Sequence, residues 1–370
     1  MSSASPLPSS PLSYSAAGRL QFDGLDVEEL AKEFGTPLYI YSADYIRERL
    51  RGYREGAGDR AHLLCYAVKA SSSLALLKVM ADAGVGADIV SGGELFRALK
   101  AGIPAERIVF SGVGKTRQEM REALEAGILL FSVESEQELE ALSEVAQHSG
   151  HTARVSIRVN PNVNPATHPY ISTGLKENKF GIAHARIPEV YALAQKLPGI
   201  EPRSIGFHIG SQLLSLNGFE EAAELVRGLA TQLKDSGVDL PHLDCGGGLG
   251  ITYNNETPPP TAEYVRALSN AVNLPELTLI FEPGRSLVGN AGVLLTRVLY
   301  EKSNEDRRFF IADAAMNDLI RPALYQAYHG VWPYQQQRLE QKIRADLVGP
   351  VCESADFLAR DRELPALEPG

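Results

Sequence analysis

Eight short apolar runs, separated by amphipathic segments, constrain this chain more than any other feature of its sequence. The runs are Leu63–Val68, Gly86–Val90, Arg107–Phe110, Ile128–Val133, Arg154–Val159, Ser204–His208, Pro241–Cys245 and Leu277–Phe281. Between them lie helix-patterned stretches such as Glu94–Ala101, Arg117–Ala126, Glu136–His148, Ile187–Lys196 and Phe219–Ser236. Strand–helix alternation implies parallel strands joined by crossover helices. About eight such units match an α/β architecture of the (β/α)8 barrel kind. An open doubly wound sheet is the alternative. When it binds dinucleotides it carries a glycine-rich turn after its first strand, and Lys69-Ala70-Ser71 is not one.

After Glu282 the texture changes. Ala291–Lys302, Arg307–Ala312 and Ile343–Gly349 read as strands without regular helices between them, and Thr36–Tyr41 near the N-terminus is also strand-like. These pieces predict a β-rich second domain built from both chain ends. The expected layout is a disordered tail over 1–17, a barrel over 42–288, and the β-rich domain over 18–41 and 289–370. The segment Pro161–Gly181 follows a strand with little periodicity. A loop of that length at a barrel's top face is more often functional than filler.

Composition narrows the function classes. The 370 residues are 44% hydrophobic and 22% charged, an ordinary globular balance. A net charge of -10 argues against a nucleic-acid or anionic-membrane surface. The three cysteines, Cys65, Cys245 and Cys352, form no CxxC pair, so neither a disulfide framework nor a metal site is expected. Met1 to Ala17 has neither the basic start nor the apolar core of a signal peptide. No apolar stretch is long enough to span a membrane. A cytoplasmic protein is the expectation.

Barrel active sites gather at the C-terminal ends of the strands, and the residues predicted there form a set. Lys69 ends strand one, where desolvation against an apolar wall would favour the free amine and make a Schiff base possible. Asp88 lies in strand two. His208 ends strand six, followed by Ile209-Gly210-Ser211. Asp244-Cys245-Gly246-Gly247-Gly248 ends strand seven, and Glu282-Pro283-Gly284-Arg285 ends strand eight. Successive glycines can form a concave anion nest of backbone N–H groups, with a flexible turn as the plainer alternative. Glu282 could face a heterocyclic nitrogen, and Arg285 could hold a phosphate or carboxylate through its planar fork. A surface ion pair is the blander reading of that turn. His208 could stack on a cofactor ring or simply pack in the core. Arg321 and Tyr325, four apart, would share a helical face. Cys352, beside Glu353, is the one cysteine outside an obvious strand core.

One motif is a decoy. Gly112-Val113-Gly114-Lys115-Thr116 resembles the tail of a P-loop, but Val109 stands where the first glycine must be.

Assembled, these residues resemble the diaminopimelate decarboxylase family. Tyr66-Ala67-Val68-Lys69-Ala70, Asp88-Ile89-Val90-Ser91-Gly92-Gly93-Glu94, His208-Ile209-Gly210-Ser211, the Gly246–Gly248 run, Glu282–Arg285, Arg321–Tyr325 and Cys352–Glu353 occur in family order. Asn178-Lys179-Phe180-Gly181-Ile182 also looks like the family's pattern. The resemblance implies an alanine-racemase-like barrel binding pyridoxal 5'-phosphate (PLP), a C-terminal β domain, and decarboxylation of meso-diaminopimelate to L-lysine. It implies that Lys69 carries the cofactor and that Asp88 and His208 line it. Ser211, Gly246, Gly247, Gly248, Gly284 and Arg285 would hold it, with Glu282 at the pyridine nitrogen. Arg285, Arg321 and Tyr325 would bind the substrate's distal carboxylate, Glu353 its distal amine, and Cys352 would donate the proton. A homodimer with shared active sites is implied. The family continues past the position of Gly370 with further strands and a Gly-Ala-Tyr-Gly-like segment that nothing here matches, so the β domain is expected to be incomplete. The alternatives are a related ornithine, arginine or carboxynorspermidine decarboxylase, or a non-catalytic PLP-binding homologue.

Overall fold

The structure, a computed structural model, describes residues 10–163, 178–305 and 307–370. Two compact units divide the chain. One comprises 46–251 with 257–289; the other comprises 1–45, 252–256 and 290–370.

The first unit is the barrel. Its strands are β1 (His62–Ala67), β2 (Gly86–Ile89), β3 (Ile108–Phe110), β4 (Leu130–Val133), β5 (Ala153–Asn160), β6 (Ile200–Phe207), β7 (His242–Asp244) and β8 (Thr278–Phe281). Each pairs in parallel with the next, β4 pairs with β5, and β8 returns to β1, so the sheet closes on itself. Closure buries the strands on both sides, which explains why they read as continuous apolar runs rather than alternating ones. Cys65, Val109, Leu130 and Ile280 form one buried cluster from four strands.

The helices follow from local signals. Ser91, Thr116 and Ser135 each cap a helix by accepting the N–H three residues on. Gly127 and Gly150 end two of these helices in the left-handed conformation. Val68, predicted to finish β1, instead begins a short 3₁₀ turn over Val68–Ala70 that carries Lys69 out of the strand.

The P-loop decoy has a structural use. Thr116 is the N-cap of Arg117–Ala126 and forms a capping box with Glu119. The Lys115 ammonium is buried and donates to the Gly112 and Ser132 carbonyls and to Glu138 Oε1, all at 2.7 Å. Burial pushes the Glu138 carboxyl above its usual range despite Lys115. Lys115→Met should therefore destabilise the protein by about 3–5 kcal/mol, because it strands a buried acid. Urea unfolding checks this, and Lys115→Met with Glu138→Gln should recover much of the loss.

The second unit is β-rich. Leu12–Tyr14, Leu20–Phe22 and Leu25–Asp26 form an antiparallel meander, and Leu38–Tyr41 pairs with Gly292–Leu295. Val298–Asn304, Arg307–Ala312, Lys342–Val348 and Phe357–Pro365 make a four-stranded sheet in that order. Phe310, Ala312, Leu347 and Leu358 lie in its buried core. Two expectations need correction. The tail assigned to 1–17 includes Leu12–Tyr14, a strand whose partner Leu20–Phe22 packs in a small core beneath Trp332 and Tyr334. Phe357–Pro365 was not read as a strand, because Arg360, Asp361, Arg362 and Glu363 interrupt its apolar residues.

Candidate active site

The C-terminal rim of the barrel carries a cavity of about 170 Å³ lined in part by Lys69, Ser111, Arg158, His208, Asp244 and Glu282. Strand register places these groups. Ala67 sits opposite Asp88 across the β1–β2 pair, so the turn that follows β1 delivers Lys69 to the Asp88 carboxylate. Lys69 Nζ donates to Asp88 Oδ2 at 2.5 Å. The expected apolar wall is thus an acidic one. Burial pulls the Lys69 ammonium's pKa down, but the charges of Asp88 and Glu282 outweigh it and hold the pKa above its usual value. The free amine expected from desolvation alone is not what this arrangement favours. Asp88 is fully buried and its Oδ1 meets no donor.

The β8 turn closes on the same corner. Ala67 N–H donates to the Pro283 carbonyl at 3.0 Å. A Cβ on Gly284 would stand 3.1 Å from Ala67 Cβ, so the close seat of this turn on the Lys69 turn favours glycine. Glu282 is buried beside Asp244, which lies on β7 opposite Gly206, where a larger residue would meet the Asp244 side chain. Burial and the neighbouring carboxylates raise both Asp244 and Glu282 above the ordinary carboxylate range. Glu282 Oε1 has no hydrogen-bond partner.

The glycine run differs from a simple anion nest. Gly246 N–H donates to Asp244 Oδ1 at 2.8 Å, and Gly247 N–H to His208 Nδ1 at 3.1 Å. Two of its three N–H groups are therefore used inside the protein. The glycines are required by crowding as well. A Cβ would come within 2.5 Å of the Phe207 carbonyl at Gly246, 2.1 Å of the Glu282 carbonyl at Gly247, and 2.3 Å of the Gly210 carbonyl at Gly248. Gly247→Ala should accordingly lower the melting temperature and loosen Glu282 together, which a thermal melt and the activity profile would record.

His208 accepts the Gly247 N–H through Nδ1, so its proton resides on Nε2 and the ring is neutral. Burial, with Arg158 and Lys69 nearby, keeps its pKa well below the usual histidine value. Ser211 Oγ accepts from Arg285 Nε and Nη2 at 3.3 and 3.2 Å, which joins a hydroxyl to a guanidinium next to the glycine run.

Arg321, Tyr325, Cys352 and Glu353 belong to the β-rich unit and are described within it. Arg321–Tyr325 is a short helix. The Arg321 guanidinium lies 4.4 Å over the Tyr253 ring and 3.1 Å from His329 Nε2. Cys352 is exposed, and Glu353 Oε1 accepts the Ala355 N–H at 3.2 Å. Of the long segment Pro161–Gly181, residues 164–177 lie outside the described ones.

Sequence reading assigned no role to Asp244, Arg158 and Glu134. Arg158 carried a usable signal, a charge set inside the run Val155-Ser156-Ile157-Arg158-Val159. Asp244 was visible at a strand end, but nothing in the sequence showed that it would be buried beside Glu282.

Together these groups suit PLP. An amine stands at one wall, an unpartnered buried acceptor on Glu282 can meet a pyridinium N–H, and a hydroxyl–guanidinium pair can meet a phosphate. A family model described as the pyridoxal-dependent decarboxylase, pyridoxal binding domain, matches residues 43–289. Diaminopimelate decarboxylase of Pseudomonas aeruginosa is 52% identical over 346 residues, which are 94% of this chain and 83% of that protein. The Aquifex aeolicus enzyme of the same name is 47% identical, over 95% of this chain and 84% of its own length. Among solved structures, diaminopimelate decarboxylase from Helicobacter pylori complexed with L-lysine matches with a TM-score of 0.88 at 47% identity, covering 93% of this chain and 86% of that one. With this fold, this rim and these relatives, the chain belongs to the diaminopimelate decarboxylases, a family of PLP-dependent enzymes.

Proposed function

We propose that this chain converts meso-2,6-diaminopimelate to L-lysine and CO₂, the last step of lysine biosynthesis, at a PLP site anchored on Lys69. The observation that carries the reading is the rim itself, with Lys69, an unsatisfied Glu282 oxygen and the Ser211–Arg285 pair at the ends of β1, β8 and β6. Solved relatives from Helicobacter pylori and M. jannaschii carry L-lysine, the expected product.

When bound, the cofactor draws the electron pair left by the departing carboxylate into its ring. Glu282 would face the ring nitrogen, where a bound pyridinium N–H would give its unpartnered Oε1 a donor and favour the carboxylate form. His208 lines the ring without adding a positive charge. Asp88 orients the Lys69 amine. By family resemblance, Ser211, Gly284 and Arg285 would hold the phosphate end, with Gly246, Gly247 and Gly248 allowing it to approach the backbone closely.

The remaining roles rest on family resemblance. Arg285, Arg321 and Tyr325 bind the distal carboxylate, Glu353 recognises the distal amine, and Cys352 delivers the proton to the α-carbon. The enzyme acts in the cytoplasm as a homodimer in which Cys352 and Glu353 complete the partner's site. Among the described residues no helix is long and apolar enough to cross a membrane.

Complementation tests the sharing. Lys69→Ala and Cys352→Ala variants should each be inactive alone. Refolded together, they should regain about a quarter of wild-type activity, because half the dimers then hold one intact site of two. No recovery would show that each chain completes its own site.

A further inference from the structure

Glu134 follows β4 and does not line the cavity, yet its carboxylate ties together three segments that do. The side chain is buried, at 1% exposure. Oε1 accepts the Gly112 N–H at 3.1 Å and Arg158 Nη1 at 2.9 Å. Oε2 accepts the Gly181 N–H at 3.1 Å. The Arg158 guanidinium lies 4.9 Å from the Phe180 ring centroid, and its Nη2 reaches the His208 carbonyl at 3.5 Å. Gly112, Arg158, Phe180 and His208 all line the cavity. Gly181 is left-handed, with φ of 70°, and a Cβ there would stand 3.0 Å from the Asn160 nitrogen. That position therefore seats Phe180 close against β5 only as glycine. Glu134 is itself fixed, because its own N–H donates to Glu138 Oε2 at 2.9 Å and Glu138 is paired with Lys115.

We propose that Glu134 is a positioning residue for the cofactor, one carboxylate that holds Arg158, Phe180 and the Gly181 backbone at the cavity wall. This rests on the PLP reading above. All three bonds need an acceptor, and a carboxylate offers two oxygens that only accept. An amide offers one, so Glu134→Gln must turn a donor toward either Gly181 N–H or Arg158.

The test uses Glu134→Gln in the full chain. The PLP dissociation constant should rise by about 10- to 100-fold, the range for lost hydrogen bonds to a charged group. At saturating cofactor, kcat should fall while KM for diaminopimelate stays within about twofold. In cofactor-free protein, hydrogen exchange in a peptide covering Gly181 should speed up. Glu134→Asp should recover part of the cofactor affinity, which a purely structural role does not require. If Glu134→Gln folds poorly, Glu134→Gln with Arg158→Met removes both buried charges. That double variant should melt near wild type and still bind PLP weakly. Wild-type cofactor affinity and kcat in either variant would overturn the inference and leave the PLP reading intact. A wild-type protein that takes up no PLP would overturn both.

Discussion

Lys69→Ala is expected to lower turnover toward the far end of the about 10²- to 10⁴-fold range for loss of a catalytic proton-transfer group. It should also abolish covalent cofactor attachment. Borohydride treatment of the wild type should bleach its yellow colour and add the mass of reduced cofactor at Lys69; the variant should show neither change. The physical ground is the placement of the amine. β1 ends in a 3₁₀ turn, and the Ala67↔Asp88 register brings the ammonium onto a buried carboxylate that orients it without a flexible search. A variant that kept both colour and turnover would remove Lys69 from the chemistry.

Glu282→Gln should have the second largest effect and act in two directions. Turnover should fall by about 10²- to 10³-fold, because an amide cannot stabilise the charged ring nitrogen. Stability of the cofactor-free protein should move the other way. Burial and the Asp244 and Asp88 charges raise the Glu282 pKa in the folded state above its unfolded value. Below the ordinary carboxylate range both states hold the proton and nothing is lost. As pH rises from that range through the raised folded value, the unfolded state releases its proton first and the folded state loses stability. Glutamine has no such proton to lose. The apo variant should therefore gain on wild type as pH increases from about 4.5 upward, which melts across a pH series would show. An equal pH slope in both proteins would mean that Glu282 is not the strained acid.

The barrel was legible in the sequence because its strands are buried on both faces and its helices carry caps. Each strand end was found to within a few residues, and strand ends are where the site forms. Lys69, Asp88, His208 and Glu282 were therefore readable as a group. Their electrostatics were not. The apolar run before Lys69 suggests an apolar wall, whereas the register puts Asp88 there. The glycine run was read as an anion nest, yet two of its N–H groups serve Asp244 and His208, and its lack of side chains is demanded by three carbonyls that pack against it. Apart from the local Asp244–Gly246 bond, these contacts join residues tens of positions apart, and no local pattern announces them. Glu134 shows the same limit, since its partners Gly112, Arg158 and Gly181 are brought together only by the pairing of β4 with β3 and β5. In the β-rich unit, Phe357–Pro365 was missed because its charges conceal the strand, although its pairing with Lys342–Val348 is extensive.

Product analysis of the purified protein with PLP tests the central claim most directly. Supplied separately with meso-diaminopimelate, ornithine, arginine and carboxynorspermidine, it should release CO₂ and an equal amount of L-lysine from diaminopimelate and negligible CO₂ from the others. Release of CO₂ from one of the other amino acids in preference to diaminopimelate, or from none of them, would contradict the account.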